Sequence, residues 1–356
     1  MAAASHAASG AAVREDHLAL SDFMEWPTVI TKAGRTMEIV LVTGASGFVG
    51  SSLLHRLAGE GRAVRGAYRH DVPTLPAGVQ GIAAGDLGAT QDWRLALDGV
   101  AAVVHTAARV HVMQDAARDP LTEYRRVNVK GTLNLARQAA ASGVKRFVFL
   151  SSVKVNGEFT PSGCSFHAAD VPAPEDAYGL SKLEAEQGLM ELARETGMEV
   201  VIIRPPLVYG PGVKGNFSSM VRWVLKGVPL PLGAVQNKRS LVALENLVDF
   251  IALCADPERS PRAANEVFLV SDGEDVSTTE LFCKVARAHG VKARLLPVPA
   301  SLIKAVANLL GKGAVADRLL GSLVVDNSKA RDQFCWTPVI SMDEQLQKMV
   351  RHDSRV

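Results

Sequence analysis

No apolar period emerges over positions 1–36, where Ala and Ser dominate the first twelve residues. From Met37 the rhythm becomes regular. Ile39-Val40-Leu41-Val42 is a short apolar run, followed by glycines and then a helical pattern over 48–58. Further apolar runs predict strands at 63–68, 81–84, 101–104, 146–150 and 199–203, with long helices at 121–142 and 178–196. Short apolar strands alternating with helices imply right-handed βαβ units and a parallel sheet covered on both faces. The expected fold class is α/β, a doubly wound Rossmann sheet. After Arg204 the pattern changes, because Pro205-Pro206, Gly210-Pro211-Gly212 and Pro229-Leu230-Pro231-Leu232-Gly233 punctuate the chain. This predicts a smaller C-terminal substrate-binding α/β domain from 205–240 and 271–356. The first domain, 37–204, would regain segments near 241–255 and 267–270. Residues 1–36 are expected to be a disordered extension, or to precede the true start at Met37.

Composition narrows the function classes. Across 356 residues the chain is 47% hydrophobic and 21% charged, an ordinary globular balance. Its net charge of +2 leaves no polybasic footprint, which argues against nucleic acid as a partner. Four widely spaced cysteines without a Cys-x-x-Cys pair argue against a metal site and for a reduced, cytoplasmic setting. No run approaches the roughly 18 apolar residues of a membrane span.

The first chemistry-bearing motif is Thr43-Gly44-Ala45-Ser46-Gly47-Phe48-Val49-Gly50, between the first strand and the first helix. Gly44, Gly47 and Gly50 permit a tight turn, and the helix N-terminus offers amide donors to a pyrophosphate through Ser46, Phe48 and Val49. An NAD-specific site places a carboxylate about 20 residues past the glycines, at the end of strand two. Here Tyr68, Arg69 and His70 stand there instead. Arg69 can neutralise a 2′-phosphate, stack on adenine or remain solvated, so the cofactor is read as NAD or NADP. A second motif is Tyr178-Gly179-Leu180-Ser181-Lys182, whose ends share one helix face. A cation below the phenol favours the phenolate, which would bring Tyr178 towards proton exchange near neutral pH. Ser152, 26 residues earlier at the end of the fifth strand, is the third candidate, with Ser151 as its neighbouring alternative.

The Gly-x-x-Gly-x-x-Gly spacing resembles that of the short-chain dehydrogenase/reductase superfamily. By that resemblance, Asp86-Leu87 would contact adenine, Ala107 in His105-Thr106-Ala107-Ala108 would line the cofactor, and Asn128 would be the helix-four asparagine. Taken alone, His105 reads as a core-facing histidine and Asp86 as a helix cap. The chain from 37 to about 351 is similar to the extended branch, the NAD-dependent epimerase/dehydratase family, which includes UDP-glucose 4-epimerases. The matching segments are Tyr209-Gly210-Pro211-Gly212, Gly215-Asn216-Phe217, Lys238-Arg239-Ser240 and Val325-Asp326-Asn327. They imply a UDP-sugar substrate held by Asn216, Arg239 and Asp326, and a homodimer joined through the helices at 121–142 and 178–196. Val153-Lys154 stand where the sugar dehydratases of the family carry Asp-Glu, so dehydration is not expected. The phrase Ser152-Val153-Lys154-Val155-Asn156-Gly157 resembles a bacterial subgroup from surface-polysaccharide pathways that includes UDP-N-acetylquinovosamine 4-dehydrogenases. The expected reaction is therefore reduction of a UDP-4-keto-6-deoxy-N-acetylhexosamine at carbon 4. UDP-glucose/UDP-N-acetylglucosamine 4-epimerisation is the alternative.

Overall fold

The computed structural model describes residues 38–110 and 119–353, so the predicted 1–36 extension lies outside the described residues. The strands are β1 (Ile39–Thr43), β2 (Val64–Tyr68), β3 (Val79–Ala83), β4 (Val100–His105), β5 (Arg146–Leu150), β6 (Glu199–Arg204), β7 (Leu207–Tyr209), β8 (Arg239–Ala243), β9 (Glu266–Leu269) and β10 (Asp275–Val276). The helices are α1 (Phe48–Gly59), α2 (Arg94–Leu97), α3 (Pro120–Tyr124), α4 (Thr132–Ala141), α5 (Ala177–Thr196) and α6 (Asn216–Leu225). They continue with α7 (Leu244–Cys254), α8 (Thr278–Ala288), α9 (Ala300–Leu309), α10 (Gly313–Leu320), α11 (Ser328–Phe334) and α12 (Met342–Asp353).

Seven strands form one parallel sheet in the order β3-β2-β1-β4-β5-β6-β9. Its apolar runs are continuous because both faces are buried. Val40, Val42 and Val148 join one core, while Leu41, Phe147 and Phe149 join the other. The predicted strand at 81–84 begins earlier, at Val79. As an edge strand it is only half-buried over most of its length, so no apolar run marks its start. The predicted helix at 121–142 is interrupted by a π-helical turn, Arg125–Gly131, between α3 and α4.

A second sheet, β10-β8-β7, pairs Leu207 with Leu241 in parallel and Asp275 with Ser240 antiparallel. Its core holds Tyr209, Phe217, Phe282, Met342 and Leu346. Between the strands of this sheet the chain returns to the first one. α7 packs on α1, where Asp249 accepts from Arg56 Nη2 at 2.7 Å and from Trp336 Nε1 at 2.9 Å. Strand order reverses between β1 and β4, which opens a crevice at the carboxyl ends of the strands, where open α/β sheets bind their ligands.

Candidate active site

At that crevice the backbone turns sharply at Gly44, whose φ is +68°, a left-handed conformation suited to glycine. A Cβ on Gly44 would lie 2.8 Å from the Ala107 backbone nitrogen, and one on Gly50 only 2.2 Å from the Gly44 carbonyl oxygen. Gly47 caps α1 without a side-chain bond, and no carboxylate stands in the first turn of the helix. The amides and positive helix end around Ser46, Phe48 and Val49 are thus a cradle for a diphosphate, and they fit a dinucleotide cofactor. Behind the cradle Thr106 Oγ1 donates to Thr43 O at 2.7 Å. His105 is a core residue, held between Thr43 Oγ1 at 2.6 Å and Thr132 Oγ1 at 2.9 Å. Burial, and then the Lys182 charge, lower its pKa to about 3.

Arg69, at the mouth of β2, forms an ion pair with Asp86 at 3.2 Å. Both are largely exposed, so the pair adds little stability. It joins the two residues that the sequence assigns to the adenosine end, and Asp86 is not a helix cap. Asn128, expected as the helix-four asparagine, lies in the π-helical turn. It is buried there, accepts from Arg109 N at 2.8 Å, and donates to Arg109 O and Ser181 Oγ, both at 3.0 Å. With both amide hydrogens committed, it fastens the loop after β4 to α5.

The end of β5 and the start of α5 bring the three catalytic candidates into one region. Ser152 caps a short 3-10 turn, Val153–Val155, by accepting from Lys154 N at 3.2 Å, which leaves its own hydroxyl hydrogen to point elsewhere. Asp176 caps α5 by accepting from Gly179 N at 2.7 Å. Lys154 ties the two segments together through Asp176 at 2.5 Å and Glu158 at 2.6 Å. Gly179 permits the approach: a Cβ there would lie 2.8 Å from Lys154 O.

The electrostatics differ from the expectation of a phenol already biased towards ionisation. Burial, with Asp176 and Tyr124 beside it, raises the Tyr178 pKa above its ordinary value. The Lys182 ammonium is buried 4.0 Å over the Phe149 ring, and that burial lowers its pKa to about 7 despite the opposing pull of Glu186. Glu186 itself is buried, receives the Ser151 hydroxyl, and pairs with Arg204 at 2.5 Å. Arg204 reaches on to Asn156 Oδ1 at 3.1 Å. Ser151, the alternative to Ser152, is therefore spent on a buried network. Glu186 escapes sequence reasoning, although its spacing of four from Lys182 on α5 was the available signal.

The three expected sugar-nucleotide residues occupy the second sheet and its surroundings. Asn216 is exposed at the start of α6. Arg239 Nη1 donates to Arg318 O at 2.8 Å and Gly321 O at 3.0 Å, at the end of α10. Asp326 ends a segment bridged to Phe166 and faces His167 Nδ1 at 3.0 Å. His167 has no counterpart among the expected residues.

Residues 40–268 match the NAD dependent epimerase/dehydratase family. The chain belongs to that family. A Vibrio cholerae relative named UDP-glucose 4-epimerase is 51% identical over 307 residues, covering 86% of this chain and 92% of its own. MoeE5, solved with UDP-glucuronic acid and NAD, superposes with a TM-score of 0.70 at 26% identity, covering 89% of this chain and 99% of MoeE5. The Thermotoga maritima UDP-glucose 4-epimerase with UDP-glucose has a TM-score of 0.70 at 22% identity, with coverages of 89% and 99%. An epimerase/dehydratase of this family uses NAD, and the glycine cradle is the part of the crevice built to take it.

Proposed function

We propose that this chain is a 4-epimerase of UDP-hexoses, the alternative rather than the leading expectation from sequence. The observation that carries the reading is the 51% identity, over nearly the whole of both chains, to the Vibrio cholerae relative named UDP-glucose 4-epimerase. NAD held by Gly44, Ser46, Gly47 and the first turn of α1 supplies a reversible hydride acceptor and a positive ring. Tyr178 takes the proton of the carbon-4 hydroxyl and later returns it. Burial, Asp176 and Tyr124 oppose its ionisation in the protein alone, so the positive nicotinamide ring of bound NAD would have to supply the bias towards the phenolate. Ser152, with one lone pair already engaged by Lys154 N, donates its hydroxyl hydrogen to the same sugar oxygen. Arg239 retains guanidinium donors beyond the one that meets Arg318 O and Gly321 O, and these suit a diphosphate. Asn216 and Asp326 would hold the rest of the nucleotide. A homodimer paired through α5 and the helix it packs against accompanies this reading.

One observation favours a second reading, net reduction at carbon 4. Arg69 replaces the carboxylate of an NAD-specific strand end, which suits exchange with a free NAD(P)H pool. Purified protein given UDP-glucose and no added reductant should form the galacto sugar without net change in the reduced-nicotinamide absorbance. Stoichiometric bleaching of NADH or NADPH by a UDP-4-keto-6-deoxy-N-acetylhexosamine, with no interconversion of the hexoses, would establish the reductase instead.

A further inference from the structure

α9 and α10 form a hairpin whose apolar side chains are only partly absorbed into the fold: Ala316 is buried and Ile303 and Leu320 pack against the second core, while others are not covered. None of the residues of α9 is buried. Leu302, Val306, Leu309, Leu310 and Val315 are 49–87% exposed. Between the two helices and Pro231 runs a groove of about 360 Å³, lined almost wholly by apolar side chains with Lys312 at its edge. The hairpin is fixed to the second sheet's lobe, where Leu230 bridges Leu295 and Gly233 N bonds Leu296 O.

The charge around this face is one-sided. Segments 222–233 and 291–320, which carry or adjoin it, contain seven basic residues against the single carboxylate Asp317, which Lys304 meets at 2.7 Å, in a chain whose net charge is only +2. All seven basic residues are exposed, among them Arg222, Lys226, Lys292 and Arg294. The remainder of the molecule is consequently net acidic. An exposed apolar face set among cations is the composition of a helix that lies in a bilayer interface and is drawn there by anionic headgroups. A second copy docking through the same face in a two-fold contact would meet it with the same positive charge, which repels it. No helix among the described residues is long and apolar enough to cross a membrane, so the contact would be with the surface.

We infer that the α9–α10 face docks the enzyme on an anionic phospholipid surface. Leu302, Leu309 and Leu310 enter the interface, and the surrounding Lys and Arg side chains meet the lipid phosphates. The contact does not depend on which sugar the active site takes, because turnover of UDP-glucose in solution and vesicle binding are separate measurements.

The test is co-sedimentation of the full chain with vesicles of phosphatidylcholine alone, or of phosphatidylcholine mixed equally with phosphatidylglycerol. Binding is expected only to the anionic vesicles, and it should weaken as salt rises. Leu309→Ser with Leu310→Ser should weaken binding about tenfold or more while the melting temperature holds. Lys226→Gln with Lys292→Gln should weaken it too and flatten the salt dependence. Absence of binding to anionic vesicles at low salt overturns the inference, as does binding that the leucine variant leaves unchanged. A dimer in lipid-free solution that the leucine variant dissolves would make a second copy the occupant and overturn it as well.

Discussion

Tyr178 and Lys182 stand on one face of α5 but meet different surroundings, and that contrast decides what single substitutions should do. Tyr178→Phe keeps the ring beside Tyr124, whose centroid is 6.0 Å away, and removes only the proton carrier. NAD should still bind, as followed by fluorescence quenching, while turnover falls by about a hundredfold or more. Near-normal turnover would sink the proposed proton path. At the other end of the cofactor crevice, Arg69→Ala should weaken NADPH by about 1–3 kcal/mol and spare NADH, if its guanidinium serves a 2′-phosphate. Paired titrations of the two cofactors check this, and equal losses would place Arg69 against adenine. The glycines, Tyr178, Lys182 and Ser152 were legible in the chain because they fall at fixed spacings beside recognisable strands and helices. The ion pair of Glu186 with Arg204 was not: Arg204-Pro205 stands out as a family-like segment and Glu186 lies four residues past Lys182, but nothing local joins a helix residue to one at a strand end. The same holds for His167, whose partner Asp326 is far away in sequence.

Strands β1, β4, β5 and β6 were readable as elements because two-sided burial produces apolar runs without alternation. β7 and β10 were not, since strands of three and two residues offer too short a pattern, and β8 was not, since its apolar residues run straight into those of α7. The π-helical turn was equally hidden: Arg125–Gly131 carries no proline or other local mark of a register change, which shows only in the way Asn128 turns inward to Arg109 and Ser181. The junction of α5 with the turn after β5 is the element-scale feature most exposed to test. In Gly179→Ala the new Cβ must clear Lys154 O, so α5 has to withdraw from Ser152. Because small misplacements of reacting groups are costly, turnover should drop by about tenfold or more with NAD binding kept. A crystal structure of the variant, showing the displacement, would accompany the kinetic measurement. Unaltered turnover would mean that the Ser152 and Tyr178 segments tolerate separation.

For the whole molecule, the buried His105 links folding to pH. Its ring titrates near 6.5 when unfolded but only at about 3 when folded, so below pH 6.5 the unfolded chain binds a proton that the native one refuses. Stability from this group is complete above pH 6.5 and falls as the pH drops towards 3, by about 1.4 kcal/mol per unit. Urea midpoints measured from pH 7 to pH 5 should decline, and the His105 ring resonances should stay fixed over that range. A ring that titrates at pH 6 in the native protein would refute the account. The interlacing of the two sheets has a further consequence, for how the protein is made. Asp249 on α7 clamps Arg56 of α1 to Trp336, so the helix that begins the diphosphate cradle is braced by a residue near the end of the chain. β9, the last strand of the large sheet, also arrives only after β7 and β8 have been laid down elsewhere. A nascent chain leaving the ribosome therefore cannot complete its cofactor half first and append the rest. The brace on α1 is complete only when nearly the whole polypeptide has emerged.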